Sequence, residues 1–425
     1  MRLYLRTFAA LAVLSTFATV QAQIPALSSR SGAAYTLYLN FGGFSYTGNW
    51  SSGTPGVTPA YSGTTAQIRE AWARVAEKYV SLNVNVTTVD PAVAAGQAAT
   101  DAQRQSYYDS QARMMHTVIG GTGGWSGGGG VSFLNVISTA QTNGRHTNWV
   151  FANQAPGALQ FVADATSHEN GHAFGLNHQG DWNVAGQSNA EYSSNFDSAA
   201  MAPIMGVTYN SPTDPRRGLW RRGRINSSNT VQNDFSVFLG NSGVQLVDSG
   251  IGHTFATATQ LGLIGTTVDP NLAKGWLNPA SATTPNPTGE ANYTKDYFKF
   301  TVGQAGTTTL TLNSGGQWLA TGQSAPGRTF RGKFNILNSS QAIVGTSTEA
   351  SDTLSASFTG SLGLGNYVIE VLNFGGMTST IDTSAEYYTS GSYFFTGVVP
   401  VPEPASMVAL GLGAIALVRR RRKQS

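Results

Sequence analysis

The chain has no cysteine and few charged residues. Asp, Glu, Lys and Arg make up 11% of its 425 residues. Without cysteine, a disulfide framework, a thiolate-ligated metal and a thiol nucleophile are excluded. Glycine is abundant, with 50 residues, whereas lysine is scarce. This composition is more typical of exported, strand-rich domains than of a cytosolic enzyme, and the length predicts two or three domains.

Long apolar runs are also few, and two stand out near the ends of the sequence. Residues 1–22 predict a secretory signal peptide, because Arg2 and Arg6 precede an apolar stretch and a small-residue cleavage site. Residues 405–418 form a 14-residue apolar run followed by the basic cluster 419–423. A bilayer span needs about 20 residues, so this run predicts a marginal transmembrane segment with its basic end in the cytoplasm.

The basic pI of about 9.0 comes from these two segments. They hold seven of the 25 basic residues, and with Glu403, two residues before the second run, also set aside, 18 basic and 21 acidic residues remain. The body of the protein is therefore slightly acidic. This charge balance gives no indication of a nucleic-acid partner.

One short stretch carries most of the chemical information. Three of the six histidines lie within Ser167–His178, which reads SHENGHAFGLNH. His168 and His172 are four residues apart, so on a helix they project from one face. Gly175 predicts the end of that helix, because glycine readily adopts a left-handed conformation there. The chain can then turn back and bring His178 to the same point.

This arrangement predicts one catalytic zinc ion held by His168, His172 and His178. Three neutral imidazoles leave zinc its full charge and one open position for water, whose pKa falls to about 7. Glu169 lies on a different side of the helix and can act as the general base. The alternative is a helix with buried, hydrogen-bonded histidines. The stretch matches all five fixed positions of the pattern HExxHxxGxxH, which disfavours this alternative.

The stretch resembles the zinc-binding signature of the metzincin metallopeptidases. Ala202-Pro203-Ile204-Met205-Gly206 resembles their methionine turn, which implies that Met205 lies beneath the metal; Met201 is the rival candidate. Astacins and serralysins have a tyrosine two positions after this methionine, where this chain has Val207. The resemblance implies an α+β catalytic domain over residues 23–248, with a twisted mixed sheet, two long helices and a zinc cleft that accepts a protein or peptide substrate.

Local patterns within residues 23–248 predict several elements. Thr64 and Gln67 match a capping box at the start of a helix. The eight glycines within 120–130 predict a mobile surface loop. A second segment around Trp220 predicts a solvated surface, for which contact with an acidic substrate or a polysaccharide is the alternative; its arginines are Arg216, Arg217, Arg221, Arg222 and Arg224. The predicted elements are helices at 64–80, 162–174 and 229–239 and strands at 35–41, 82–86, 116–119, 131–137 and 147–152, the last being the candidate edge of the cleft.

Residues 249–398 show short strand patterns separated by glycine and asparagine turns, which predicts an all-β sandwich. Asp296-Tyr297-Phe298-Lys299-Phe300 and Asn366-Tyr367-Val368-Ile369-Glu370-Val371 resemble the bacterial pre-peptidase C-terminal domain. The predicted strands are 296–302, 307–312, 332–337, 367–372 and 392–398.

Residues 399–425 combine Pro402-Glu403-Pro404, the apolar run and the arginine cluster, and so resemble the PEP-CTERM sorting signal of Gram-negative bacteria. This resemblance implies transient association with the inner membrane, processing by an exosortase-type enzyme, and a final location at the cell surface or in the extracellular matrix.

Two functions fit these features. The first is an exported zinc-dependent endopeptidase with Glu169 as general base. The alternative is a cell-surface matrix or polysaccharide-binding protein whose zinc site is structural or vestigial. A structural zinc site usually has four protein ligands, whereas the motif offers three histidines. A calcium ion is possible but unsupported, because the chain contains no calcium-loop motif.

Overall fold

A computed structural model describes residues 23–48, 50, 53–183, 186, 188–193, 201–208, 217–226, 228–279, 294–319, 327–350, 354–373, 377–378 and 385–401. The predicted signal peptide and the apolar run at 405–418 lie outside these residues. Within the described part of the chain, none of the helices has the length and apolar character needed to cross a membrane.

The helices are short except for two. Thr64 caps the first long helix, and both hydrogen bonds of the predicted capping box with Gln67 are present. The second long helix contains the HExxH residues and begins three residues before its predicted start at 162. The helices are α1 (Thr65–Lys78), α2 (Pro91–Ala94), α3 (Asp101–Ser110), α4 (Leu159–Phe174) and α5 (Asp234–Gly240).

The strands of the first part of the chain build one five-stranded mixed sheet and several small ribbons. They are β1 (Tyr35–Asn40), β2 (Phe44–Ser45), β3 (Val57–Thr58), β4 (Val84–Thr87), β5 (Met114–Ile119), β6 (Gly130–Val131), β7 (Thr147–Val150), β8 (Asp181–Trp182), β9 (Ser188–Ala190), β10 (Met201–Pro203), β11 (Arg217–Leu219), β12 (Arg221–Arg224) and β13 (Val231–Asn233).

The five-stranded sheet has the order β4-β1-β5-β7-β6, and β6 alone runs antiparallel to its neighbour. Two predictions about the strands on this side of the sheet are wrong. The strand predicted at 131–137 is limited to Gly130–Val131, and the candidate edge at 147–152 is an inner strand. Helices α1 and α4 pack together, and their apolar residues share one core with β1, β4 and β5.

The prediction of a closing helix at 229–239 is only partly confirmed. Residues 231–233 form β13, and the helix α5 begins at Asp234. The side chain of Asn233 accepts a hydrogen bond from the amide of Ser236 and so caps this helix. The chain therefore stays extended up to a polar capping residue, which the apolar periodicity did not reveal.

The later part of the chain is all-β, and the five strands predicted there are confirmed with shifts of one or two residues at their ends. Its strands are β14 (Thr259–Gln260), β15 (Leu263–Ile264), β16 (Thr267–Val268), β17 (Lys274–Leu277), β18 (Lys295–Val302), β19 (Thr307–Ser314), β20 (Gly332–Leu337), β21 (Ile343–Thr346), β22 (Thr348–Ala350), β23 (Ser355–Ser361), β24 (Gly365–Asn373), β25 (Met377–Thr378), β26 (Glu386–Tyr387) and β27 (Gly391–Val398).

Most of these strands form two sheets that enclose a common apolar core. One sheet has the order β14-β18-β24-β20-β21, and the other contains β27, β19 and β23 at its centre. Phe298 and Ile369 from the first sheet meet Leu310 and Phe395 from the second in that core. The chain thus combines a helix-and-sheet part with an all-β part, which agrees with the predicted α+β class.

The two parts are joined by buried contacts. The strand β26, late in the chain, pairs with β12 of the first part. Glu77 at the end of α1 is 1% exposed and accepts hydrogen bonds from the amide and hydroxyl of Ser392, at 2.8 and 2.7 Å. Because a buried carboxylate is costly without such partners, these bonds hold the two parts together.

Candidate metal centre

The helix α4 places the first two histidines on one face. The ring centroids of His168 and His172 are 4.7 Å apart. Gly175 ends the helix in the left-handed region at φ +103°, as predicted, and its amide bonds back to the carbonyls of Gly171 and His172. The chain then reverses, and the Nε2 atoms of His172 and His178 come within 3.0 Å. One ligand atom from each of the three rings lies within 4.8 Å of the others.

Each of the three rings has an oxygen acceptor at its other nitrogen. The Nδ1 of His168 lies 2.7 Å from the carbonyl oxygen of Ile204, and that of His172 lies 2.6 Å from the carbonyl of Leu176. The Nδ1 of His178 lies 2.9 Å from Oε1 of Glu191. Donation from Nδ1–H to these oxygens leaves the three Nε2 lone pairs free, and this is the tautomer that binds a metal. The donor set therefore fits zinc.

Burial keeps the imidazoles neutral. It lowers the pKa of His168 well below 6.5, with smaller effects of the same sign from His172 and His178. Burial also lowers the pKa of His172 to about 4, and His178 adds to the shift. The pKa of His178 is lowered by burial and raised in part by its hydrogen bond to Glu191. At neutral pH all three rings are in the form that metal ligands require.

Glu169 is buried beside the ligands, with 6% of its surface exposed. Burial alone raises the pKa of its carboxyl group well above 4.5. The carboxylate packs against Gly130 of β6, where a Cβ atom would lie only 2.5 Å from Oε1. The protonated form of this carboxyl group is therefore more favoured than in a solvent-exposed glutamate, next to the candidate metal ligands.

Met205 is fully buried and packs under α4 at Gly171, between the first two histidines. The turn that contains it closes with a bond from the amide of Gly206 to the carbonyl of Pro203, at 3.0 Å. The rival Met201 packs elsewhere, against Leu219 and Tyr387.

The site opens into a cavity of about 490 Å³. Its lining includes the glycine run of the segment predicted to be a mobile surface loop, and Tyr192. The residues that line the cavity are Gly127, Gly128, Gly129, Gly130, Val131, Ser132, His168, Glu169, His172, His178, Tyr192 and Val207. A substrate can therefore approach the three Nε2 atoms and Glu169 from solvent.

Sequence reasoning missed Glu191 and Tyr192. The Tyr192 ring lies 4.4 Å from that of His178, centroid to centroid. Burial raises the pKa of its hydroxyl group to about 12, and the charges of Glu191 and Glu169 add to the shift. No spacing rule links these residues to the histidines, because a 13-residue excursion from His178 brings them back. Val207 also lines the cavity, at the position where astacins and serralysins have tyrosine.

Two arginines of the segment around Trp220 are less exposed than predicted. Arg217 and Arg221 are 2% and 1% exposed, so the expectation of a solvated surface is wrong for both. Burial lowers the pKa of Arg217 to about 9. His116 is fully buried and hydrogen-bonded to Asn40 and Thr147, which fits a structural role, and burial lowers its pKa to about 3.

Comparison with known families agrees with this geometry. Residues 78–214, which include the three histidines, match the model of the reprolysin-like metallopeptidases of family M12B. This part of the chain is therefore similar to reprolysin-like metallopeptidase domains. Metallopeptidases of this family use zinc, and the histidine triad of the domain is positioned to bind a metal. Residues 400–423 match the PEP-CTERM protein-sorting motif, which indicates export and a surface or extracellular location.

No curated protein matches the chain, whereas solved structures resemble part of it. The pre-peptidase C-terminal domain of a collagenase from Bacillus anthracis is 14% identical and has a TM-score of 0.18; the match covers 32% of this chain and 92% of that one. The CBM35 of Cellvibrio japonicus Abf62 is 12% identical, with a TM-score of 0.15 and coverage of 31% and 92%.

Proposed function

We propose that the protein is an exported zinc-dependent endopeptidase with a metzincin-like catalytic domain. The observation that carries this proposal is the convergence of three Nε2 atoms next to the buried carboxyl group of Glu169, in an open cavity. Three ligands and an open side are typical of catalytic rather than structural zinc sites. When bound, zinc acts as a Lewis acid that polarises a carbonyl group and lowers the pKa of water.

In this proposal the side chains divide the work. His168, His172 and His178 hold the metal, and their Nδ1 acceptors fix the ring orientations. Glu169 takes a proton from the attacking water and then donates it to the leaving amine. Burial raises the pKa of its carboxyl group, which favours the protonated form that donates to the leaving amine.

Met205 supports the site from below through its contact with Gly171. The domain boundaries predicted at 22, 248 and 398 are part of this proposal. So are processing by an exosortase-type enzyme, transient contact with the inner membrane of a Gram-negative bacterium, and a protein or peptide substrate. The sorting motif supports the processing and the membrane contact, and the metallopeptidase match supports the class of substrate.

The decisive experiment compares Glu169→Gln with His178→Ala. We expect Glu169→Gln to retain zinc and to lower kcat/KM on casein by roughly 10²–10⁴-fold, because it removes proton transfer and leaves the ligands in place. His178→Ala should lose zinc as well. Metal analysis and casein cleavage, with a chelator and zinc re-addition as the control, measure both effects.

Unchanged turnover in Glu169→Gln would rule out this mechanism. Zinc-loaded wild-type protein that cleaves neither casein nor a peptide library would instead favour the matrix or polysaccharide-binding alternative, which is motivated by the sorting motif and the large all-β part.

A further inference from the structure

Gln179, the residue after the third histidine, ties three segments of the site together. It is fully buried. Its amide donates to the carbonyl of Met205, and its carbonyl accepts from the amide of Ser193, both at 2.8 Å. Its side-chain Nε2 donates to Oδ1 of Asp234 at 2.8 Å. Through the backbone of Gln179, the methionine turn and the segment that carries Glu191 and Tyr192 are therefore fixed relative to the third histidine. Its side chain links the same point to Asp234.

The strand β12 and the residues after it support the same loop. The carbonyl of His178 accepts from the amide of Asn226 at 3.0 Å, and the amide of Gly180 donates to the carbonyl of Arg224 at 3.1 Å. At the start of this strand, Arg221 is buried and its Nε donates to Oε1 of Gln179 at 2.7 Å. A guanidinium group holds a partner in a fixed geometry because its planar donors point in set directions.

The all-β part of the chain completes the surroundings of Arg221. β12 pairs with β26 in antiparallel register, Arg221 opposite Tyr387. The guanidinium carbon lies 5.5 Å from the centre of the Tyr387 ring, and Nη1 lies 3.4 Å from its hydroxyl group. Nη1 also contacts Oγ of Ser193 at 3.3 Å. A buried guanidinium group depends on each of these acceptors, since losing one leaves a buried N–H donor unsatisfied.

We propose that Arg221 is a positioning residue of the metal site, and that Tyr387 from the all-β part holds Arg221 in place. The inference rests on the proposed zinc site, because the histidine that Arg221 supports through Gln179 is its third ligand. It implies that the all-β part is a component of the metal centre and not a separable appendage.

The test measures zinc affinity of the full-length protein by competition with a chromophoric chelator, well below the melting temperature. We expect Arg221→Lys to raise the zinc Kd by roughly tenfold or more, the range in which loss of outer-shell partners acts. Tyr387→Phe, which removes only the hydroxyl group, should raise it by a smaller but measurable factor.

Glu77→Gln is the matched control. It perturbs the same junction through Ser392 but contacts none of the site residues, so it should lower the melting temperature and leave the zinc Kd unchanged. A wild-type Kd in Arg221→Lys would overturn the proposal. If that variant does not fold, a wild-type Kd in Tyr387→Phe overturns it. The readout needs no substrate, so a failure of the peptidase assignment alone would leave zinc binding, and this result, intact.

Discussion

At the scale of single residues, Gly130 leaves room for the carboxylate of Glu169, the proposed general base. It belongs to β6, and its Cα faces the carboxylate of Glu169 and the carbonyl of Trp149. A methyl group there would lie 2.5 Å from Oε1 and 2.7 Å from the Trp149 oxygen. Either β6 or the carboxylate would have to move. Because glycine has no side chain, β6 and the carboxylate of Glu169 can both occupy their observed positions.

We therefore expect Gly130→Ala to lower kcat on a peptide substrate by roughly 10²-fold, because misplacing a catalytic group by about 1 Å has costs of that order. Zinc content should stay at the wild-type level, since the histidines are not displaced. Metal analysis and steady-state kinetics check both expectations.

Gly124→Ala is the control for this change. A Cβ atom at Gly124 meets nothing within 4 Å, so this variant should turn over like the wild type. Equal activity in Gly130→Ala and Gly124→Ala would show that Gly130 does not position Glu169.

At the scale of elements, one buried ion pair joins the two long helices. Nζ of Lys78, at the end of α1, lies 3.0 Å from Oδ1 of Asp164 on α4, and both side chains are almost fully buried. Lys78 also donates to the carbonyl of Gly218 at 2.8 Å. The pair fixes the helix that carries His168 and His172 against its neighbour.

Removing one member of this pair should be more harmful than removing both. We expect Lys78→Met to lower the free energy of unfolding by about 3–5 kcal/mol, because it leaves a buried carboxylate without its partner. The double variant with Asp164→Leu should recover much of that loss. Chemical denaturation of the zinc-free protein measures the three values, and a double variant less stable than Lys78→Met would contradict this account.

The sequence predicted those elements whose signals are local. The capping box at Thr64 and Gln67 and the glycine after α4 lie within a few residues of what they determine. The burial of Arg217 and Arg221 could not be predicted, because it depends on strands more than 100 residues later. The pattern HExxHxxGxxH predicted three ligands and the base, but the partner of His178, Glu191, is defined only by the folded loop.

At the scale of the whole molecule, a cluster of charged side chains formed by Asp248, His253 and Asp296 lies near the start of the all-β part. His253 is hydrogen-bonded to Asp248 at 2.9 Å and lies 3.2 Å from the buried carboxylate of Asp296. The bond to Asp296 is the main cause that raises the pKa of His253 to about 9, against a smaller opposing effect of burial. The charged imidazolium is therefore favoured in the folded state.

This shift predicts a pH dependence of stability. Because the folded pKa lies above the unfolded value of 6.5, the contribution of His253 is fully present below pH 6.5 and is lost as the pH rises through about 9. We expect the melting temperature of the wild type to fall between pH 6.5 and 9.5 more steeply than that of His253→Gln. Parallel curves for the two proteins would contradict the assignment.

The junction between Glu77 and Ser392 spans 315 residues of sequence. During translation, the segment with the three histidines is complete long before Ser392 leaves the ribosome. Contacts so distant along the chain form slowly, since closing a long loop precedes any gain from the contact. The buried junction between the two parts of the chain therefore forms only when nearly the entire polypeptide has been made, so a nascent or prematurely terminated chain lacks the contacts that join the helix-and-sheet part to the all-β part.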